Sequence, residues 1–506
     1  PRERCTMRRL IKAFSILLAP SAKRFERALS QPRVAQKDLQ QALFDQLIRS
    51  DYGQSLAIRS IEDWHKIPVV SYEELRPWIA ANKSLTPETV LFYETTSGSS
   101  GAAKQIPYTR ALRTSFNTLF CIWAYDLIRN GPGFKTGKIY MCISPKLLAP
   151  GEASAGLQDD SEYLDRWLRW LLKPFLVSPA DAHRPQTPDV FQASLCKTLL
   201  LTEDLEIISI WSPSFLSIQL DYIQTHRRSL QESLRGQLSS QRSALLDDDP
   251  ISWEALWPNL KLISCWDSAI SADQSHHLAS YFPNTLIQGK GLLATEAPMT
   301  VPLIAANGCV PLVNDVFFEF EDDTGQIHAL HELQIGQSYE VIISQKGGLY
   351  RYRMCDRVQV THYYNATPCL KFLGRSTTSD LVGEKLTLEL CTQIMQQLDL
   401  SATAFKCLVP SLSPQPRYSL LIDRVLPTTD QLAKKLDQQL AQNVHYRQAR
   451  LLGQLQPAQV CAAPEILQRL MQYHYRQGRR LGDVKYPYLL TQPIHSLADI
   501  FAADGS

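Results

Sequence analysis

A chain of 506 residues is long enough for two or more domains, and 44% hydrophobic with 20% charged residues excludes global disorder. A formal charge of +2 gives no global argument for nucleic-acid binding, and no apolar run reaches the roughly 18 residues of a membrane span. The 11 cysteines contain no C-x-x-C pair and the 11 histidines form no H-E-x-x-H, so reduced thiols in a cytoplasmic protein are expected, not a disulfide framework or a zinc site.

At the start, Lys12 interrupts the apolar residues that follow Arg8-Arg9, and the pattern continues as a basic amphipathic helix through Phe25 and Leu29. That argues against a signal peptide and for a helix packed on a core, with peripheral membrane contact as the alternative. Met7 is a candidate natural start, the residues before it being an upstream extension. Residues 8–50 read as two helices, followed by short helices at Ile61–Trp64 and Tyr72–Ile79, the latter with Ser71 as N-cap and Glu74 three residues on. Val90–Tyr93 ends a strand, and a long helix runs from Arg110 to about Arg129. Strands follow at Lys138–Ser144, Ile207–Trp211, Leu260–Trp266 and Thr285–Gln288, with helices from Pro213 and from about Ala272 between them. Strand, helix, strand at this spacing predicts a parallel α/β sheet. The helix after Pro213 places Phe215, Ile218 and Tyr222 on one face, 178–190 is a proline-rich loop, and 239–252 is a polar, exposed insertion. His276-His277 reads as helix surface.

From Phe317 the texture becomes antiparallel β, with a turn at Asp322-Asp323-Thr324-Gly325 and strands at Tyr339–Ser344, Val358–Thr361 and Cys369–Leu373. After Gly374-Arg375 a smaller unit follows: helix 384–398, strands Phe405–Val409 and Tyr418–Ile422, helix 429–443 and a last helix near 464–477. The proposed division is 1–374 and 375–506.

Three clusters carry chemistry. Thr95-Thr96-Ser97-Gly98-Ser99-Ser100-Gly101 packs hydroxyls and small residues ahead of Lys104, the materials of a polyphosphate-binding loop without the Walker A spacing. Gln288–Glu296 follows a strand end, where open α/β sheets bind ligands; Glu296 can hold magnesium and Thr295 can donate to a phosphate oxygen. In Tyr350-Arg351-Tyr352-Arg353-Met354-Cys355-Asp356, Asp356 sits at a strand-turn-strand junction suited to a ribose diol, and strict alternation would turn the two arginines to one face and the two tyrosines to the other. Lys385, at the domain junction, and Lys485, on the turn Gly482–Pro487, are further cations. Each cluster also has a plain structural reading as turn, loop or hairpin.

Ordered over nearly the whole chain, these segments resemble the auxin-responsive Gretchen Hagen family of acyl-acid amido synthetases, in its bacterial branch, within the adenylate-forming superfamily of acyl-CoA synthetases and luciferases. The carrying residues are Thr96–Gly101 with Lys104 and Pro107, Trp211-Ser212-Pro213-Ser214-Phe215, Gly289–Glu296, Tyr350–Asp356 and Thr367–Arg375. The resemblance implies an α/β fold. A large N-terminal domain with mixed and parallel sheets and a β-barrel-like part would carry a small mobile α+β C-terminal domain. It implies ATP and magnesium as cofactors, and a carboxylic acid and an amine, usually an amino acid, as substrates. An acyl-CoA or other thioester ligase, or a non-catalytic relative, are the alternatives.

By the same resemblance Thr96, Ser97, Gly98, Ser99, Ser100, Gly101 and Lys104 line the phosphates. Ala294, Thr295 and Glu296 serve the α-phosphate and metal, and Asp356 the ribose. Phe372 and Arg375 lie near the nucleotide at the hinge, Lys385 contacts phosphate and Lys485 aids adenylation from the mobile domain. Trp211 and Phe215 are candidates for the acyl pocket, with core packing the alternative. Departures are Leu292 where plant members carry Tyr, the plain Ala102-Ala103, and Cys355 where Gly usually precedes the Asp, which would tighten or distort the turn.

Overall fold

A computed structural model describes residues 2–81, 83–95, 104–141, 166–179, 188–268, 271–375, 378–382, 384–398, 400, 403–476 and 486–501. The first element is one helix, Arg2–Ser30. Its Phe14, Leu18, Ala22, Phe25 and Leu29 recur three and four residues apart, and all are buried. That stripe packs along the helix Arg110–Asn130, so core packing is what this helix does; Ile16 and Leu17 stay exposed on its other side. Pro32 opens the next helix, Pro32–Leu47, at a position where its missing N–H costs nothing. From it the buried Gln36 donates to the carbonyls of Val313 and Val316, each at 2.8 Å, and accepts from the Phe318 N–H at 2.8 Å. No described helix is long and apolar enough to cross a membrane.

The expected parallel sheet is present. Its order is Leu176–Val177, Ile139–Met141, Ile207–Ser209, Leu262–Cys265, Leu286–Gly289, with every pairing parallel. The helices Pro188–Leu201, Pro213–Ser233 and Ser271–Tyr281 cross between strands. Ile139–Met141 has its sequence successors on opposite sides, which makes its carboxyl end the switch point of the sheet. The buried stripe of Pro213–Ser233 is Phe215, Leu216, Gln219, Leu220 and Ile223; Ile218 and Tyr222, on the Phe215 face, are half-buried, and Tyr222 packs against that core. The stretch 239–252 is largely exposed, as read, and forms the helix Ser240–Leu245; Arg242 is buried, and Leu246 and Ile251 join the same core. The loop expected over 178–190 gives way to a helix at Pro188. His276 and His277 are exposed, as the helix-surface reading expects.

Beyond it lies a five-stranded antiparallel sheet, in the order Ile327–Ala329, Val316–Glu321, Ser338–Gln345, Leu349–Tyr364, Thr367–Arg375. The Asp322 turn forms as read, with Gly325 at φ +83° and the Asp322 carboxylate accepting from the backbone of Thr324 and Gln326 at 2.9 and 3.0 Å. Leu349–Tyr364 is one strand where two with a turn were expected. Two irregularities take the place of the turn. Arg351 (φ +46°) and Cys355 (φ +58°) both enter the left-handed region, and pairing with Ser338–Gln345 slips at each. The strict alternation expected for Tyr350–Arg353 therefore fails: Tyr350, Arg351 and Tyr352 are all buried.

The last unit is a four-stranded sheet, Gln459–Ala462, Arg417–Ile422, Lys406–Ser413, Ile494–Ser496, antiparallel at its centre and parallel at both edges. One face packs under Leu388–Gln397, Thr429–Leu440 and Val444–Leu451, the other under Ile466–Arg476. The edge strands and the helix Val444–Leu451 have no counterpart in the sequence reading. Asn443 ends the preceding helical run by capping the new one, accepting from the Tyr446 N–H at 2.9 Å.

Candidate active site

The hydroxyl-rich connection springs from a hairpin. Val90–Thr95 pairs with Gln105–Thr109, Thr95 opposite Gln105; residues 96–103, and with them Thr96, Ser97, Gly98, Ser99, Ser100 and Gly101, lie outside the described residues. Lys104, at the return end, is described. Its ammonium donates to Tyr352 Oη at 3.1 Å, lies 3.8 Å from Glu296 Oε1, and stands 5.8 Å from the ring centroids of both Tyr72 and Tyr352. Tyr72 Oη in turn accepts from the Gln105 N–H at 2.8 Å, which fixes where the strand begins. A helix, a hairpin and a bulged strand thus set the direction of one cation.

Thr295 and Glu296 form the tip of a second hairpin, with Ala294 paired to Ala297. Glu296 is 5% exposed, and the fully buried Tyr108 donates to the Thr295 carbonyl at 2.8 Å. Tyr108 belongs to the strand that leaves the hydroxyl-rich connection, so the two hairpins are tied together. A carboxylate beside a lysine fits the chemistry of a magnesium–phosphate site, where magnesium takes one or two carboxylates and keeps its other positions for phosphate and water. Among the described residues no three His, Cys, Asp or Glu side chains gather as a metal cluster.

Asp356 follows Cys355 in the bulge, is 4% exposed and faces Arg375 across the ladder. Burial pushes the Cys355 thiol up; Asp356 stands on the same bulged strand as Tyr352, the acceptor of the Lys104 ammonium. Phe372 is half-buried on the adjacent strand, opposite Val358. Lys385 is exposed, in the connection of the hairpin that pairs Thr378–Ser379 with Leu386–Thr387. Lys485 lies outside the described residues. Trp211 is half-buried at a strand end, its ring 5.7 Å from that of Trp266, whereas Phe215 is buried in the core of the parallel sheet.

Sequence reasoning missed Tyr72, Tyr108 and Tyr352, because an aromatic residue in a strand or amphipathic helix reads as core. Lys290 was passed over too. Its ammonium donates to Ser209 Oγ at 2.8 Å and lies 5.1 Å from the Trp211 ring. Two glycines flank it for reasons the sequence alone could not give. A Cβ on Gly289 would stand 2.2 Å from Asp267 Oδ1, and Gly291 has φ +66°.

The fold is thus a parallel sheet, an antiparallel sheet and a small α+β unit, with Lys104, Glu296 and Asp356 at hairpin ends and a bulge. The solved acyl acid amido synthetase GH3.15 in complex with 2,4-DB superposes with a TM-score of 0.78 at 18% identity, covering 97% of this chain and 95% of that one. A 2-hydroxyisobutyryl-CoA ligase in its postadenylation state superposes with 0.54 at 11% identity, covering 93% and 90%. The chain belongs to the GH3 family: residues 21–287 match the GH3 family N-terminal domain, 309–375 its central domain and 387–494 its C-terminal domain. Among similar curated proteins are two from Arabidopsis thaliana. The indole-3-acetic acid-amido synthetase GH3.3 is 23% identical over 86% of this chain and 85% of its own length. The 4-substituted benzoates-glutamate ligase GH3.12 is 22% identical over 76% and 77%.

Proposed function

We propose that this chain is an ATP-dependent ligase that adenylates a carboxylic acid and transfers the acyl group to an amine, an amino acid in the first instance. The observation that carries this reading is the Lys104–Glu296 pair at 3.8 Å, held by three separate elements, with buried Asp356 on the bulged strand that supplies Tyr352 to Lys104. Family membership and relatives named as amido synthetases and a glutamate ligase support it.

ATP with magnesium supplies the adenylyl group and neutralises phosphate charge. Lys104 and the Thr96–Gly101 segment hold the phosphates. Glu296 holds the magnesium, and Ala294 and Thr295 flank the α-phosphate. Asp356 accepts hydrogen bonds from the ribose diol, with Phe372 and Arg375 beside it on the adjacent strand. No protein nucleophile is needed: the acid's own carboxylate attacks the α-phosphorus as pyrophosphate leaves, the amine then attacks the acyl carbon, losing a proton, as AMP leaves, and the residues align the groups and balance charge. Lys385 and Lys485 act from residues 375–506, the unit we take to move between the two half-reactions. Its separate cores support the division at 374 and 375. The nine cysteines with described side chains are free, which suits a reducing cytoplasm.

The test is acid-dependent pyrophosphate exchange over a panel of aromatic, indole and aliphatic acids, followed by an amine panel with coenzyme A as competitor. Exchange followed by amide formation is the expected result. Thioester formation in place of amide would assign the thioester-ligase alternative, and no exchange with any acid would refute the reading.

A further inference from the structure

A buried carboxylate stands in the connection between Thr378–Ser379 and Leu386–Thr387. Glu384 is 0% exposed, and its oxygens are filled by uncharged donors. The Leu381 N–H donates to Oε1 at 2.7 Å, the Val382 N–H donates to Oε2 at 2.9 Å, and the Tyr418 hydroxyl donates to Oε1. Tyr418 is 0% exposed in one of the two central strands of the C-terminal sheet, and its hydroxyl also lies 3.0 Å from Ser379 Oγ at the base of the hairpin. Burial and the Glu384 charge push the Tyr418 pKa up, so the phenol keeps the proton it donates. A ladder of two residue pairs is too short to fix what lies beyond it. Glu384 does that instead, closing the connection on itself and fastening it to the sheet.

The next residue is Lys385. Its φ is +47°, left-handed backbone that lysine rarely adopts, and it is exposed between Glu384 and Leu386, both 0% exposed. Such a conformation persists only where the surroundings over-determine it. Here both neighbours are anchored, Glu384 on Tyr418 and Leu386 in the core beneath Leu388–Gln397. We propose that Glu384 is a positioning residue for Lys385. Pinned to Tyr418, it makes the Lys385 backbone part of the C-terminal unit, so the ammonium meets phosphate at an angle set by that unit and departs when the unit turns. This inference rests on the ligase reading above and on Lys385 touching phosphate there.

The experiment is a double-mutant cycle of Glu384→Gln and Lys385→Ala, with pyrophosphate exchange and amide formation both measured. Lys385→Ala should lower kcat about 10²–10³-fold in the half-reaction it serves, the value of one charge-stabilising donor. Glu384→Gln should lower kcat of the same half-reaction about 10- to 100-fold, as misplacement of such a group does, with the KM of the acid unchanged. The double variant should be no slower than Lys385→Ala alone, because residues that act as a unit are not additive. Tyr418→Phe should give the same pattern, and serves if Glu384→Gln does not fold. Losses that multiply in the double variant overturn the proposal, since they would give Glu384 a role independent of Lys385, and so does full activity in Glu384→Gln. Full activity in Lys385→Ala overturns it too, while wild-type exchange leaves the ligase reading standing. Absence of exchange with every acid in the wild-type protein overturns that reading, and this proposal with it.

Discussion

Cys355 occupies a backbone position that glycine fits better. At φ +58° its Cβ crowds the backbone, at a cost of about 1–2 kcal/mol, against which a glycine would lose roughly 0.5–1 kcal/mol of chain entropy. Cys355→Gly should therefore stabilise the surrounding unit by about 0.5–1 kcal/mol, read as a rise in its urea midpoint with unchanged slope. Pairing with Ser338–Gln345 slips at this position, and Asp356 follows directly after it. Asp356→Ala should weaken ATP binding by about 1.5–3 kcal/mol in calorimetry, the loss of hydrogen bonds to a charged acceptor; unchanged affinity would remove Asp356 from the ribose. Both residues were legible in the sequence, one as a carboxylate in the right segment and the other as an odd residue before it. The tyrosines around Lys104 were not, since nothing local distinguishes a ring that packs from a ring that aims a cation.

The bulged strand Leu349–Tyr364 shows how one element serves both stability and the site. At its first irregularity buried Arg351 pairs with Glu319 at 2.9 Å and donates to the carbonyls of His65 and Ile67 at 3.0 and 2.6 Å, fastening the segment before Tyr72 to the antiparallel sheet. Arg351→Ala leaves the Glu319 carboxylate without its cation and should cost about 3–5 kcal/mol, whereas replacing both partners with apolar residues should cost much less. Thermal unfolding of the two variants distinguishes these outcomes. Glu206 makes a comparable fastening in the parallel sheet. It is 1% exposed and accepts from the N–H groups of Lys135, Thr136 and Gly137 at 2.9, 2.8 and 2.8 Å, with Lys261 Nζ at 3.1 Å. Burial pushes its pKa up, but these donors outweigh burial and the net displacement is downward from 4.5. A carboxyl whose pKa falls on folding stabilises fully above its unfolded value and loses that stabilisation as pH drops through the folded one. Unfolding midpoints should therefore fall from about pH 5 downward, and Glu206→Gln should flatten that limb. Element types were legible wherever apolar residues kept a clear period. Misreadings fell where tertiary partners decide: positive φ inside a strand, a buried arginine in a polar stretch, and edge strands of three or four residues too short to show alternation.

At the scale of the molecule, the order of segments was the legible feature, because a parallel sheet, an antiparallel sheet and a small α+β unit each leave a distinct texture. How the last unit serves the first is argued from Lys485. Lys485→Ala should slow adenylation about 10²–10³-fold while ATP still binds, as expected for one charge-stabilising group; normal pyrophosphate exchange in that variant would remove Lys485 from the mechanism. The hydrophobic clusters carry a separate consequence. Two pack on the faces of the C-terminal sheet and share no residue with the two in the rest of the chain. All-or-none melting is then not the expectation. A calorimeter should record overlapping endotherms, and a nucleotide bound mainly through Lys104, Glu296 and Asp356 should raise the endotherm of the unit that holds them more than that of the C-terminal unit.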